Sequence, residues 1–258
     1  LKSIITLTTD FGSRDGYVGT IKGVILSINP KAEIIDISHQ IPPQNVLAGA
    51  FCLFNSCTFF PEGTIHIAVV DPEVGGKRKG ILIQTERHFL VGPDNGIFSL
   101  LLRTENVKRI INLANPKYFL GKVSATFHGR DIFAPVAAYL SLGVEAKEFG
   151  PALSEIARLS LPSIEKRRGK IIGRIIHIDN FGNLVSNVTA QELSKIKKFK
   201  MKVKNRIISR LSKTYSEVGK GKILAYQGSS GFLEVGIREG NARLKLDAII
   251  GDKIEIQI

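Results

Sequence analysis

The stretch IHIAVVDPEVGGKR, Ile65 to Arg78, reads as a buried strand that runs out into a functional turn. An apolar, β-branched run ends on a carboxylate, Asp71, and a Pro/Gly turn then leads to Arg78. In an open α/β sheet, ligands bind beyond the carboxyl ends of the strands, so an acid at this point stands where a site forms. The opening run SIITLTTDFGSRDGY, Ser3 to Tyr17, has the same form and ends its apolar stretch at Asp10, before another Gly-containing turn.

Outward from Ile65, the first part of the chain alternates strand and helix patterns. Strands are expected at Ile4 to Thr8, Glu33 to Ile37, Thr64 to Val70, Gly80 to Thr85 and His88 to Val91. Helices are expected at Tyr17 to Ile28, Val46 to Phe60, Ile97 to Arg103 and Asp131 to Leu142. This alternation predicts an α/β domain with a central, largely parallel sheet and helices on its faces. After Pro151 the character changes, and Ser154 to Arg168 reads as a linker. From Lys170 onward the pattern is all-β, with strands at Lys170 to Ile178, Lys200 to Val203, Ile207 to Ile208, Ile223 to Gln227, Phe232 to Ile237 and Lys253 to Ile258. Short strands with Gly-rich turns predict a smaller barrel-like domain. The expected division is an N-terminal α/β domain over 1–164 and a C-terminal β-barrel-like domain over 165–258.

At 258 residues and 43% apolar content the composition is globular. No apolar run reaches the roughly 18 residues of a membrane span, and no basic-then-apolar leader precedes the first strand, so a soluble, cytoplasmic protein is expected. Lys and Arg number 36 against 23 Asp and Glu, a net charge of +13. The basic residues cluster at Glu165 to Lys170 and Lys195 to Arg210 without interleaved aromatics, which favours a solvated basic surface over a nucleic-acid partner. Cys52 and Cys57 match no redox or zinc spacing and read as core thiols in a reducing compartment.

Each candidate residue carries two readings. A strand-end Asp can cap the next helix or fix its turn, but two of them leading into Gly-containing loops point to a ligand site. A carboxylate accepts bonds only, which suits the vicinal hydroxyls of a ribose. Alone, Arg78 is a surface cation. His128, in ATFHGRDIFAP, sits on a loop before a helix start, where access is plausible. HExxH, GxxxxGK[ST] and GxSxG are absent, which removes support for metal, nucleotide-triphosphate and serine hydrolysis. In the second domain, HIDNFGNLVSN, KTYSEV and QGSSGFLEV are either turn chemistry or a polar pocket in which Asn183 reads a base edge, Tyr215 stacks and Ser229 and Ser230 hold a carboxylate.

Together TTDFG, VVDPEVGGKR, VGPDNG, FHGRDIFAP, DNFGN and SSGFLEV, in this order and nearly end to end, resemble the S-adenosylmethionine (SAM) hydroxide adenosyltransferase family. These are SAM hydrolases related to SAM-dependent chlorinases and fluorinases. The resemblance implies a homotrimer that binds ligand between neighbouring subunits. It implies Asp71, Arg78 and His128 as the catalytic set, with no metal or cofactor and with SAM as substrate. It also implies Asp10 at the ribose hydroxyls, Tyr215 stacked on adenine and Asn183 reading it. Asp179 would face the methionine amine, Ser229 and Ser230 the methionine end or nearby adenosine atoms, and Glu234 and the loop around Glu239 would lie close by. The implied reaction is attack of water on the ribose C5′, with Arg78 favouring hydroxide-like charge, Asp71 orienting Arg78 and the water, and His128 giving a hydrogen bond or accepting the proton. Halogenation, non-catalytic adenosine or SAM binding, and nucleic-acid binding are the competing functions.

Overall fold

A computed structural model describes residues 3–194, Ile196 and residues 199–257. Lys195, Lys197 and Lys198 of the expected basic cluster, and Ile258 of the expected last strand, lie outside the described residues. The chain divides into two compact units, Leu1–Leu159 and Ser160–Ile258.

The first unit contains β1 (Ile4–Thr9), α1 (Tyr17–Ile28), β2 (Glu33–Ser38), α2 (Val46–Ser56), β3 (Ile65–Val69), β4 (Gly80–Thr85), β5 (Phe89–Pro93), β6 (Val107–Asn112) and α3 (Ala134–Ser141). Its sheet runs β2-β1-β3-β5-β4-β6. The β2, β1, β3 and β5 neighbours pair in parallel, while β4 is antiparallel to both β5 and β6. Period-two alternation assigns the sheet's side chains to opposite faces. Ile5, Leu7, Ile67 and Val69 pack with Ile21 and Ile25 of α1 and with Ala134 and Ala137 of α3. Ala68, Val70, Ile83 and Leu90 pack with Ala48 and Leu53 of α2 on the other side. The result is the expected layered α/β architecture.

Some element boundaries differ from the sequence reading. The helix expected over Val46 to Phe60 is α2 followed by a 3-10 turn at Cys57–Phe59. Over Ile97 to Arg103 only a 3-10 turn at Leu101–Arg103 forms. Strand β6 was not expected, because Val107, Lys108 and Arg109 are exposed on an edge strand and break the apolar alternation. Cys57 is buried and Cys52 half-buried, both as free thiols.

Among the described residues, the second unit is a nine-stranded, nearly closed sheet of barrel type. Its strands are β7 (Glu165–Arg167), β8 (Lys170–Ile178), β9 (Leu184–Thr189), β10 (Lys200–Val203), β11 (Arg206–Ile208), β12 (Leu211–Ser212), β13 (Ile223–Gln227), β14 (Phe232–Ile237) and β15 (Lys253–Gln257). Short helices α4 (Ala190–Leu193) and α5 (Ala242–Leu246) complete it. Ile171, Val188, Met201, Leu233, Val235 and Ile254 supply its core. The end of the expected linker is instead strand β7, paired with β8. Arg168 and Gly169 both take positive φ, 46° and 74°, as a two-residue hairpin turn of matching twist requires.

One buried polar pair bears on stability. The His66 Nδ1 lies 2.7 Å from the Thr6 hydroxyl, and its ring meets that of His88, whose Nδ1 is 3.1 Å from Glu105. Burial pushes the His66 imidazole down to about 3 from 6.5. The unfolded chain therefore takes up a proton at His66 near pH 6.5, whereas the folded chain stays neutral until about pH 3. Stability is intact above that window and falls as pH drops through it, by at most about 1.4 kcal/mol per pH unit for one proton. Melting temperatures across this range should decline with falling pH, and His66→Gln should flatten that slope. An unaltered slope in the variant would refute the assignment.

Candidate active site

In the first unit the strand ends and two loops enclose a cavity of about 400 Å³. Asp10, Gln44, Asp71 and His128 line it together with the aromatic rings of Tyr17 and Phe127. Asp71 lies just past β3, and the end of that strand is held by the Asn95 side-chain amide donating to the Val70 carbonyl at 2.8 Å. Arg78 returns to Asp71 as a bidentate fork. Its Nε donates to Asp71 Oδ1 at 3.0 Å, and its Nη2 donates to Asp71 Oδ2. Both side chains are only 4% exposed, so this ion pair is withdrawn from water. The guanidinium also sits 5.6 Å from the centre of the Phe133 ring.

The same Nη2 reaches His128 Nδ1 at 2.7 Å. Arginine is donor-only, so Nδ1 must accept, and donor logic places the imidazole proton on Nε2. Burial first, and the adjacent Arg78 charge second, hold the His128 pKa below its ordinary value, which agrees with a neutral ring. His128 precedes a π-helical turn, Gly129–Phe133. The buried Asp131 within that turn accepts the Ser124 N–H at 2.7 Å and ties down the loop that carries the histidine.

Gly75 explains how loops so distant in sequence can meet. Its φ is +76°, and a Cβ there would lie 2.0 Å from the Ala125 carbonyl oxygen. The backbone of the Asp71–Arg78 turn therefore rests directly on the loop leading to His128. Asp10 accepts the Gln44 N–H at 2.8 Å, and Gln44 has a left-handed φ of 63°. One carboxylate thereby holds a strained residue at the cavity wall.

In the second unit a separate cavity of about 510 Å³ is lined by Asp179, Asn183, Tyr215, Ser229, Glu234 and Glu239. Asp179 accepts the backbone N–H and the side-chain amide of Asn183, each at 2.8 Å, which fixes the direction in which that amide points. Gly236 lies beneath both walls of this cavity, and a Cβ there would come within 2.7 Å of Asn183 Oδ1 and 3.1 Å of the Tyr215 ring. Ser230 follows Ser229 on the same turn and is half-buried.

The structure thus gathers Asp10, Asp71, Arg78 and His128 in one place, and Asp179, Asn183, Tyr215, Ser229, Glu234 and Glu239 in another. Sequence reasoning missed Gln44, Tyr17, Phe127 and Tyr226 as wall residues. Tyr226 lies in a strand pattern that carries no sign of what stands opposite it. Among the described residues, no group of three or more His, Cys, Asp or Glu is placed to hold a metal ion. Gly75→Ala should cost about 1–3 kcal/mol through backbone strain and the clash with Ala125. Denaturant midpoints would measure that loss, and wild-type stability would contradict the close approach.

A family profile for the SAM hydroxide adenosyltransferase N-terminal domain matches residues 5–150, and one for the C-terminal domain matches residues 173–255. An (R)-S-adenosyl-L-methionine hydrolase from Methanocaldococcus jannaschii is 39% identical over 98% of this chain and 95% of that protein. A fluorinase from an Actinoplanes species is 27% identical over 74% of each chain. The crystal structure of an uncharacterised conserved protein from Thermotoga maritima matches with a TM-score of 0.90 at 35% identity, over 98% of this chain and 100% of that one. With both profiles matched across most of its length, this chain belongs to the SAM hydroxide adenosyltransferase family.

Proposed function

We propose that the chain hydrolyses S-adenosyl-L-methionine to adenosine and L-methionine. The observation that carries this reading is the Asp71–Arg78–His128 cluster at the wall of a cavity that also holds Asp10. The water oxygen forms a bond to ribose C5′ as the C5′–S bond breaks. The sulfonium sulfur takes that electron pair and leaves as the neutral thioether of methionine, and the water's proton passes to solvent. The leaving group is already activated, so the protein must chiefly position the water and favour its hydroxide-like charge.

The Arg78 guanidinium stabilises that negative charge, and Asp71 keeps the guanidinium in one orientation. His128 offers its Nε2–H to the nucleophile. Asp10 takes the ribose hydroxyls. In the second cavity, Tyr215 stacks on adenine, Asn183 reads its edge, and Ser229 and Ser230 hold the methionine end. Asp179 and Glu234 answer the cationic charge of the substrate. The family resemblance extends the proposal to a homotrimer with substrate held between neighbouring subunits, to catalysis without a metal, and to the cytoplasm.

Incubation with SAM, with and without halide, should release adenosine and methionine in both cases. A 5′-halo-adenosine product would favour the halogenase that the fluorinase similarity suggests. Tight adenosine binding with no methionine released would favour a non-catalytic module. Asp71→Asn, which keeps the side-chain shape, and Asp71→Ala should both abolish turnover, whereas Asp10→Ala should mainly raise KM. Wild-type turnover in the Asp71 variants would refute the mechanism. Because the His128 pKa is lowered, the Arg78–His128 bond persists into mildly acidic solution and is lost as the ring protonates. A kcat–pH profile should therefore show an acid limb below the ordinary histidine pKa, and a flat acid side would exclude a neutral-ring requirement.

A further inference from the structure

Tyr226 is not among the residues assigned a role by the reading above, yet it is the midpoint of a hydrogen-bonded chain inside the second unit. The Tyr215 hydroxyl donates to the Tyr226 hydroxyl at 2.6 Å, and the Tyr226 hydroxyl donates to Glu234 at 2.7 Å. The order of donors is dictated from one end. Burial pushes the Glu234 carboxyl up and the bond from Tyr226 draws it back; with Glu234 as acceptor, Tyr226 gives its proton to it and its own oxygen receives one from Tyr215.

Strand register places the two inner members. Tyr226 on β13 stands directly opposite Glu234 on the antiparallel β14, and β12 pairs along the other edge of β13. Cross-strand neighbours of this kind are held by the backbone ladder, so the acceptor site for Tyr215 is rigid. Tyr226 is 9% exposed, whereas Tyr215 is 38% exposed and lies on a 3-10 turn, Tyr215–Glu217, outside the sheet. The two rings are 5.0 Å apart and tilted by 52°, so they do not stack face to face and the hydroxyl contact is the directional link between them.

We propose that Tyr226 is a positioning residue for the adenine end of the substrate. It fixes the exposed Tyr215 ring before the base arrives, with Glu234 as the anchored end of the chain. This rests on the reading of Tyr215 as the adenine-stacking ring and adds to it the cause of its pre-organisation. A ring already held in its bound orientation loses less freedom on binding, so the effect falls on affinity and not on the chemical step.

The test is steady-state turnover of SAM, together with calorimetric binding of adenosine, by this 258-residue chain and four variants. Tyr226→Phe deletes the central hydroxyl and keeps the ring, while Tyr215→Phe deletes the outer hydroxyl and keeps the stacking face. Each should raise KM for SAM and Kd for adenosine by about tenfold, because each cuts the part-buried Tyr215–Tyr226 link, with kcat within about twofold. The double variant should be no worse than either single change, because both cut the same link. Tyr215→Ala should bind adenosine more weakly than any of these. Wild-type KM and Kd in both Phe variants, with binding still lost in Tyr215→Ala, would overturn the positioning role and leave the hydrolase reading standing. Unaltered adenosine binding in Tyr215→Ala would instead remove the stacking role on which the positioning proposal rests. If Tyr226→Phe proves unstable on thermal melting, Tyr215→Phe decides the question alone.

Discussion

The buried fork between Arg78 and Asp71 is the contact on which the first cavity depends. Charges withdrawn from water in this way are tolerated only when paired with good geometry, and leaving one of them alone typically costs about 3–5 kcal/mol. Two parallel bonds satisfy that condition and also remove the rotational freedom of the guanidinium. With its orientation set by Asp71, Arg78 has a donor left for His128, and the proton on the imidazole is placed accordingly. A lysine could not do the same work, since a single ammonium has no planar fork to fix.

Local backbone geometry makes that contact possible. Asp71 and Arg78 belong to one turn, but His128 arrives on a loop that starts beyond β6. The two meet because Gly75 lets backbone lie on backbone at Ala125, and because Asp131 closes its own loop through Ser124. Neither feature belongs to the Asp71–Arg78–His128 cluster, and both set its spacing. The second unit uses a different device, in which paired strands place Tyr226 against Glu234 and an acid-anchored turn directs the Asn183 amide.

The distribution of charge is informative in a chain of net charge +13. Acids are the minority, yet Asp10 and Asp71 line one cavity and Asp179, Glu234 and Glu239 line the other. A basic surface with acidic recesses favours a compact ligand carrying positive charge over a polyanion.

The sequence by itself determined the layered α/β architecture, the change to β structure and the strand ends that carry Asp10 and Asp71. These follow from short-range alternation and from turn residues, which act within a few positions. Charged edge strand β6, hairpin strand β7 and the partial unwinding after α2 escaped it, because packing and register override local pattern there. Only the tertiary structure decided that Arg78 binds Asp71 and His128 together, and that Tyr226 stands between Tyr215 and Glu234. Arg78 reaches Asp71 across 7 residues of sequence and His128 across 50, and Tyr226 reaches Tyr215 across 11 and Glu234 across 8, by side chains whose direction is set by register and close backbone approach. No periodicity encodes such a meeting, because it depends on where distant backbones come to rest.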